Sequence, residues 1–232
     1  MKNIDKPLDS ANGLRLYLDT ADVQDWEAWV PTGLFYGITS NPLLLERASV
    51  RCSLPVLTQL AQQAFSLGVK EVQMQTWGAS IEALVSTGRA IASIDPRMVV
   101  KVPITKLGTE AASQLIADGA PVTLTAAYTH HQAIIAAALG AAYIAPYLGR
   151  INDQGRKGRD ELVAMQRSLD GVHSSTRILT ASIRHVEDIA YLSAHGLNTF
   201  TFSAAIAAAL FDVPSTQQAT EDFENAARRM KS

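Results

Sequence analysis

A single cysteine, Cys52, excludes an internal disulfide, so packing rather than covalent cross-linking must hold the fold. No apolar run reaches the ~18 residues of a membrane span, and no membrane partner is expected. Charge of one sign is also lacking. With a net charge of -2 and no basic stripe interleaved with its few aromatics (6%), the chain carries no nucleic-acid footprint. The opening MKNIDKPLDS has no apolar stretch and contains Asp5 and Asp9, so it does not read as a secretory signal, and a cytoplasmic location is expected. G-x-x-x-x-G-K-[ST], G-x-G-x-x-G after a strand and H-E-x-x-H are all missing. Adjacent His130 and His131 open a helix, where successive side chains diverge, so no metal site is expected there.

What remains is an apolar chain with a regular rhythm. Its 232 residues, 47% hydrophobic, suffice for one large core, read as one domain over 1–232. Eight β-type runs are predicted: 14–19, 34–39, 69–75, 98–102, 122–125, 142–146, 176–181 and 197–202. Amphipathic or Ala-rich stretches separate them, and Gly68, Gly119, Gly140 and Gly196 punctuate the helix ends. Eight such units in this order predict an α/β fold of the (β/α)8, or TIM barrel, type. Residues 215–232 read as an extra C-terminal helix with Phe223 and Ala226 on one face.

The run Met98-Val99-Val100-Lys101-Val102-Pro103 places a lysine inside an apolar strand. A buried ammonium is costly, and the usual relief is a lowered pKa that leaves a neutral, nucleophilic amine near pH 7. The plainer reading is a lysine that reaches the surface or meets a carboxylate. Alternation along the strands points Arg15, Tyr17 and Asp19 into the barrel, with Gln73, Lys101, Thr123, Thr125, Ala145 and Tyr147. Ser182 is placed inward on the parity of Thr180. Polar groups at several strand ends therefore converge on one mouth, where barrels of this type hold their sites.

These motifs resemble the small-subunit transaldolase and fructose-6-phosphate aldolase family of Schiff-base (class I) enzymes. The resemblance spans about residues 14–211 and rests on Leu-Asp-Thr-Ala at 18–21, Gly-Ile-Thr-Ser-Asn-Pro at 37–42, and Val-Val-Lys-Val-Pro at 99–103. Thr-Leu-Thr at 123–125, Ala-Pro-Tyr-Leu-Gly-Arg at 145–150 and Ala-Ser-Ile-Arg at 181–184 complete it. It implies that Lys101 forms the imine and Asp19 acts as acid/base, although a strand-end aspartate could equally cap the following helix. It assigns Gln73 and Thr125 to holding water, with Gln75 a rival on the same face, and gives Tyr147 a share in that role unless it only packs at the rim. Asn41, Ala145, Arg150, Ser182 and Arg184 are implied in substrate binding, the last three for an anionic group, though Asn41 before Pro42 is also an ordinary turn residue.

The resemblance further implies a sugar-phosphate substrate and a homo-oligomer, as pentamer or decamer with exchanged C-terminal helices. It implies no cofactor, because the imine itself is the electron sink. As this family reads, Gln73 with Tyr147 favours the aldolase type, which cleaves a ketose phosphate to dihydroxyacetone and glyceraldehyde 3-phosphate. Transaldolase, a dihydroxyacetone-transferring enzyme of the pentose phosphate pathway, is the alternative, and a non-catalytic anion-binding barrel a further one. Two departures stand out. Ser40 replaces the more usual Thr, and Thr123 stands where transaldolases often carry Asn.

Overall fold

The computed structural model describes residues 13–230. Asp5 and Asp9, on which the reading of the N-terminus rests, and the last two residues of the predicted C-terminal helix lie outside them. Eight parallel strands close into a barrel in sequence order: β1 (Arg15–Asp19), β2 (Gly37–Thr39), β3 (Glu71–Gln75), β4 (Met98–Pro103), β5 (Val122–Ala127), β6 (Tyr143–Pro146), β7 (Arg177–Thr180) and β8 (Thr199–Phe202). The helices that follow the strands are α1 (Val23–Trp29), α2 (Pro42–Arg47), α3 (Leu54–Ser66), α4 (Ile81–Ala92), α5 (Lys106–Ala117), α6 (Gln132–Leu139), α7 (Leu148–Asp153), α8 (Gly158–Gly171), α9 (Val186–Ser193) and α10 (Ala204–Ala209). An additional helix, α11 (Pro214–Met230), follows and buries none of its residues.

Period-two alternation divides the strand side chains between two cores. Leu18, Ile38, Val72, Val100, Leu124, Ile144, Ile178 and Phe200 pack outward against the helices. Tyr17, Val99, Tyr143, Ala145 and Leu179 form a second cluster inside the barrel. That second cluster fixes which parity points inward, and it overturns one expectation. On β7 the inward residue is Leu179, so Thr180 faces outward beside Ile178. Its buried hydroxyl finds no hydrogen-bond partner among the described residues.

Helix starts follow local chemistry. Asn41, Ser80 and Thr105 accept hydrogen bonds from first-turn backbone N–H groups at α2, α4 and α5. Gly68, Gly119, Gly140 and Gly196 all adopt positive φ just before a strand, as their spacing predicts. Trp26 is fully buried with its indole N–H donating to the Thr20 carbonyl, while Trp29 stacks on Phe211 at a centroid distance of 6.0 Å. No helix among the described residues is long and apolar enough to cross a membrane.

Candidate active site

Lys101 sits mid-way along β4, 3% exposed, with Val100 and Val102 packed outward on either side. No hydrogen bond or ion pair among the described residues engages its side-chain nitrogen. Burial pushes its pKa below the ordinary lysine value, and the nearby negative charge of Asp19 only partly opposes that shift. The amine opens into a cavity of about 130 Å³ shared with Asp19, Asn41, Tyr147, Arg150 and Ser182. Lys101 comes from β4 itself, Asp19, Asn41, Tyr147 and Ser182 from the C-terminal ends of four other strands or the residues just after them, and Arg150 from α7.

The structure separates two roles that were open for Asp19. Helix α1 is capped by Asp22, whose side chain accepts from the Gln24 N–H, so Asp19 is not the cap. Its carboxylate instead accepts one hydrogen bond from the Thr39 hydroxyl at 2.6 Å, and Thr39 in turn bonds Thr201. Asn41 does cap α2: its Oδ1 accepts from the N–H groups of Leu43 and Leu44. That bond fixes the amide and leaves its NH2 as the group available to a ligand.

At the end of β5 the ladder to β6 slips by one residue between Thr125 and Ala127, where Ala126 takes φ 61°. A bulge of this kind re-aims the strand end. It brings the Thr125 and Tyr147 hydroxyls to 3.1 Å, where they share a hydrogen bond. Burial raises the Tyr147 pKa, partly offset by that bond, so the phenol keeps its proton at neutral pH. Arg150 lies with its guanidinium 4.7 Å from the Tyr147 ring centroid and forms no ion pair among the described residues. Ser182 reaches the cavity by a route that strand parity does not supply. Its φ of 57° turns the chain just past β7, and its carbonyl accepts from the Gly149 N–H at 2.9 Å. Gly149 permits this approach, because a Cβ there would lie 2.5 Å from that carbonyl oxygen.

Other predicted residues lie elsewhere. Ala145 is buried inside the barrel one inward step beyond Tyr143 on β6, level with Thr125, and is not part of the cavity lining. Gln73 is fully buried as well. Its amide donates to Glu71 at 2.8 Å and its carbonyl accepts from Thr123 at 2.7 Å, so it is held from both ends. Thr123 thus orients Gln73, a use its lack of an amide does not prevent. Gln75, the rival, pairs in register with Lys101.

Arg184 is not brought to the cavity. Its guanidinium forms a two-pronged pair with Asp153, both side chains half exposed. Arg156 and Arg159 are similarly answered, by Glu161 and Asp188. His130 rests against Glu161, and no group of three or more His, Cys, Asp or Glu among the described residues is arranged to hold a metal ion.

Leu43, Leu44 and Arg47 of α2 complete one wall and Ala181 the other, and sequence reasoning does not single out any of them. A signal exists all the same: Leu43 and Arg47 are four apart in the helix that begins after Asn41 and share a face. Arg47 is exposed and makes no ion pair among the described residues, so the cavity presents two unanswered guanidiniums, Arg47 and Arg150.

Comparison with known proteins bears on the family and the fold. A probable transaldolase of Phenylobacterium zucineum is 32% identical over 212 residues, covering 90% of this chain and 94% of that protein. One from Thermus thermophilus is 30% identical over 215 residues, covering 90% and 96%. Among solved structures, a flavocytochrome b2 mutant with pyruvate bound aligns with a TM-score of 0.57 at 11% identity, over 83% of this chain and 57% of that one. A mandelate oxidase mutant aligns with a TM-score of 0.57 at 16% identity, over 82% and 64%. The chain therefore spans less than two thirds of either structure, and at these identities the likeness is one of barrel architecture alone. The profile described as Transaldolase/Fructose-6-phosphate aldolase matches residues 16–232, and the chain belongs to that enzyme family.

Proposed function

We propose that this chain is a Schiff-base enzyme that breaks and makes the bond between the carbons α and β to the carbonyl of a ketose phosphate. The observation that carries the reading is the buried, unpaired amine of Lys101, its pKa depressed, opening into the cavity that also holds Asp19. The neutral amine adds to the ketose carbonyl; loss of water gives an imine, and its protonated nitrogen draws the electron pair of the neighbouring bond. Asp19 accepts the proton of the hydroxyl on the departing carbon, that bond breaks, and an aldehyde leaves behind an enamine on Lys101. Arg150 and Ser182 supply charged and neutral donors to the phosphate, and the Asn41 NH2 faces substrate hydroxyls.

Two fates of the enamine define two activities. Transfer to a second aldehyde is the leading reading, since the relatives named above are probable transaldolases. Hydrolysis with release of dihydroxyacetone is the second, favoured by the Thr125–Tyr147 hydroxyl pair, which can hold a water at the imine carbon. Acceptor dependence decides between them. With fructose 6-phosphate as donor, the leading reading expects turnover to require erythrose 4-phosphate. Release of glyceraldehyde 3-phosphate and free dihydroxyacetone without an acceptor would move the assignment to the aldolase. Tyr147→Phe is expected to lower the hydrolytic rate by roughly tenfold or more while leaving transfer less affected. Equal losses in both rates would show that the hydroxyl does not govern water.

The assembly is proposed to be a homo-oligomer linked through α11, which buries no residue within the chain and exposes Phe223 at 72%. Truncation after Pro214 is expected to reduce the mass measured by light scattering. An unchanged assembly would remove this helix as the link.

A further inference from the structure

The opposite end of the barrel, where the strands begin, holds a second cavity of about 380 Å³ whose charged lining is Arg15, Lys70, Glu71, Arg97 and Arg177. Among the described residues its charges do not balance. Arg97 is answered by Asp95 through two hydrogen bonds of 2.8 Å. Among the described residues Glu71 is the only acidic one lining the cavity, and it already accepts from Tyr17 at 2.9 Å, Gln73 at 2.8 Å and Tyr143 at 2.8 Å, with Arg15 at 3.8 Å.

Beyond the 3.8 Å pairing of Arg15 with Glu71, the remaining cations lean on neutral acceptors. Arg177 donates to the Thr199 hydroxyl, the Gly13 carbonyl and the Asn198 side-chain carbonyl. Arg15 donates to the Tyr143 hydroxyl and lies over the Tyr36 ring. Lys70 is exposed at the rim, and no hydrogen bond or ion pair among the described residues engages its ammonium. Three cations therefore face one carboxylate. Burial and the neighbouring charge of Arg15 both lower the Arg177 pKa, whereas against burial Tyr143, Tyr17, Tyr36 and Glu71 raise that of Arg15.

We propose that this cavity is a binding site for a compact phosphate-type oxyanion, held between the Arg15 and Arg177 guanidiniums with Lys70 closing the rim. Guanidinium forks match the oxygens of such an anion in a way that a point charge does not, and a doubly charged ligand would neutralise the surplus. The site is separate from the cavity of Lys101: the two share no lining residue among those described. It therefore does not depend on the proposed reaction.

Calorimetric titration of the full chain with inorganic phosphate tests it. In an Arg150→Ala background, which weakens any phosphate site at the catalytic mouth, one phosphate per chain is expected to remain. Arg177→Ala is expected to abolish that binding. Because Arg177 also ties Gly13 to β8, Lys70→Glu provides the variant that spares the fold: a loss of about tenfold in affinity with unchanged turnover is expected. Absence of the remaining phosphate, or equal affinity in Lys70→Glu, would overturn the proposal. Binding that appears only when Asp5 and Asp9 are both changed to Asn would also overturn it, by assigning the cavity to the chain's own carboxylates.

Discussion

Lys101→Met is expected to remove at least about four orders of magnitude from turnover while making the protein more stable at neutral pH. The first half follows from the role of nucleophile, since removal of such a group leaves only binding and electrostatic assistance. Borohydride reduction in the presence of fructose 6-phosphate, read by intact mass, should give an adduct on the wild type and none on the variant. No adduct on either would favour the anion-binding barrel over an enzyme.

The second half follows from the direction of the pKa shift. In the unfolded chain a lysine titrates near ~10.4, whereas burial holds Lys101 lower in the fold. Between those two values the unfolded state binds more protons, so the penalty of the buried amine grows as pH falls and vanishes above the unfolded pKa. Each tenfold loss of proton affinity costs about 1.4 kcal/mol below the folded pKa. Methionine fills a similar volume without that cost. The expected gain appears as a rise in Tm of roughly 2–4 °C per kcal/mol, shrinking as the pH approaches ~10.4. A variant that is inactive yet no more stable at pH 7 would mean that the amine is solvated, and the proposed mechanism would lose its nucleophile.

Much of this site is legible because a barrel translates strand parity into position. Asp19, Lys101, Thr125 and Tyr147 are placed inward at strand ends by alternation alone, and the cavity or its hydrogen bonds contain all four. Alternation fails where the backbone leaves β geometry. The parity of Thr180, which in fact faces outward, gives no route for Ser182, and it enters the cavity only through the turn at its positive φ. Strand β2, predicted over 34–39, forms only over Gly37–Thr39, since Phe35 is already committed to packing on Phe202 and Leu34 lies 41% exposed. Helix α7 escapes the sequence pattern, because Gly149 and Asn152 in a six-residue segment give weak helical signal.

The polar interior is the clearest omission. Glu71, two residues before Gln73, shares its inward parity, yet a lone glutamate normally reads as surface. Only the tyrosines and arginine gathered around it in three dimensions make its burial tolerable.

Asp19→Asn carries the second large effect, and it separates bond cleavage from imine formation. The amide keeps the shape and can still accept from the Thr39 hydroxyl, so the contact at 2.6 Å survives in kind. What is lost is the ability to take a proton from the departing hydroxyl. General-base removal of this sort is worth about 10²–10⁴ in rate, so kcat is expected to fall by that factor with KM little changed. The imine should still form, and borohydride should still trap fructose 6-phosphate on Lys101 in this variant, since addition begins with the amine. Removing the carboxylate charge also withdraws the one influence that raises the Lys101 pKa, so the acid limb of the trapping rate is expected to shift to lower pH. Loss of trapping together with loss of turnover would instead make Asp19 part of imine formation. A kcat within about threefold of wild type would leave bond cleavage without its base and return the carboxylate to a structural role beside Thr39.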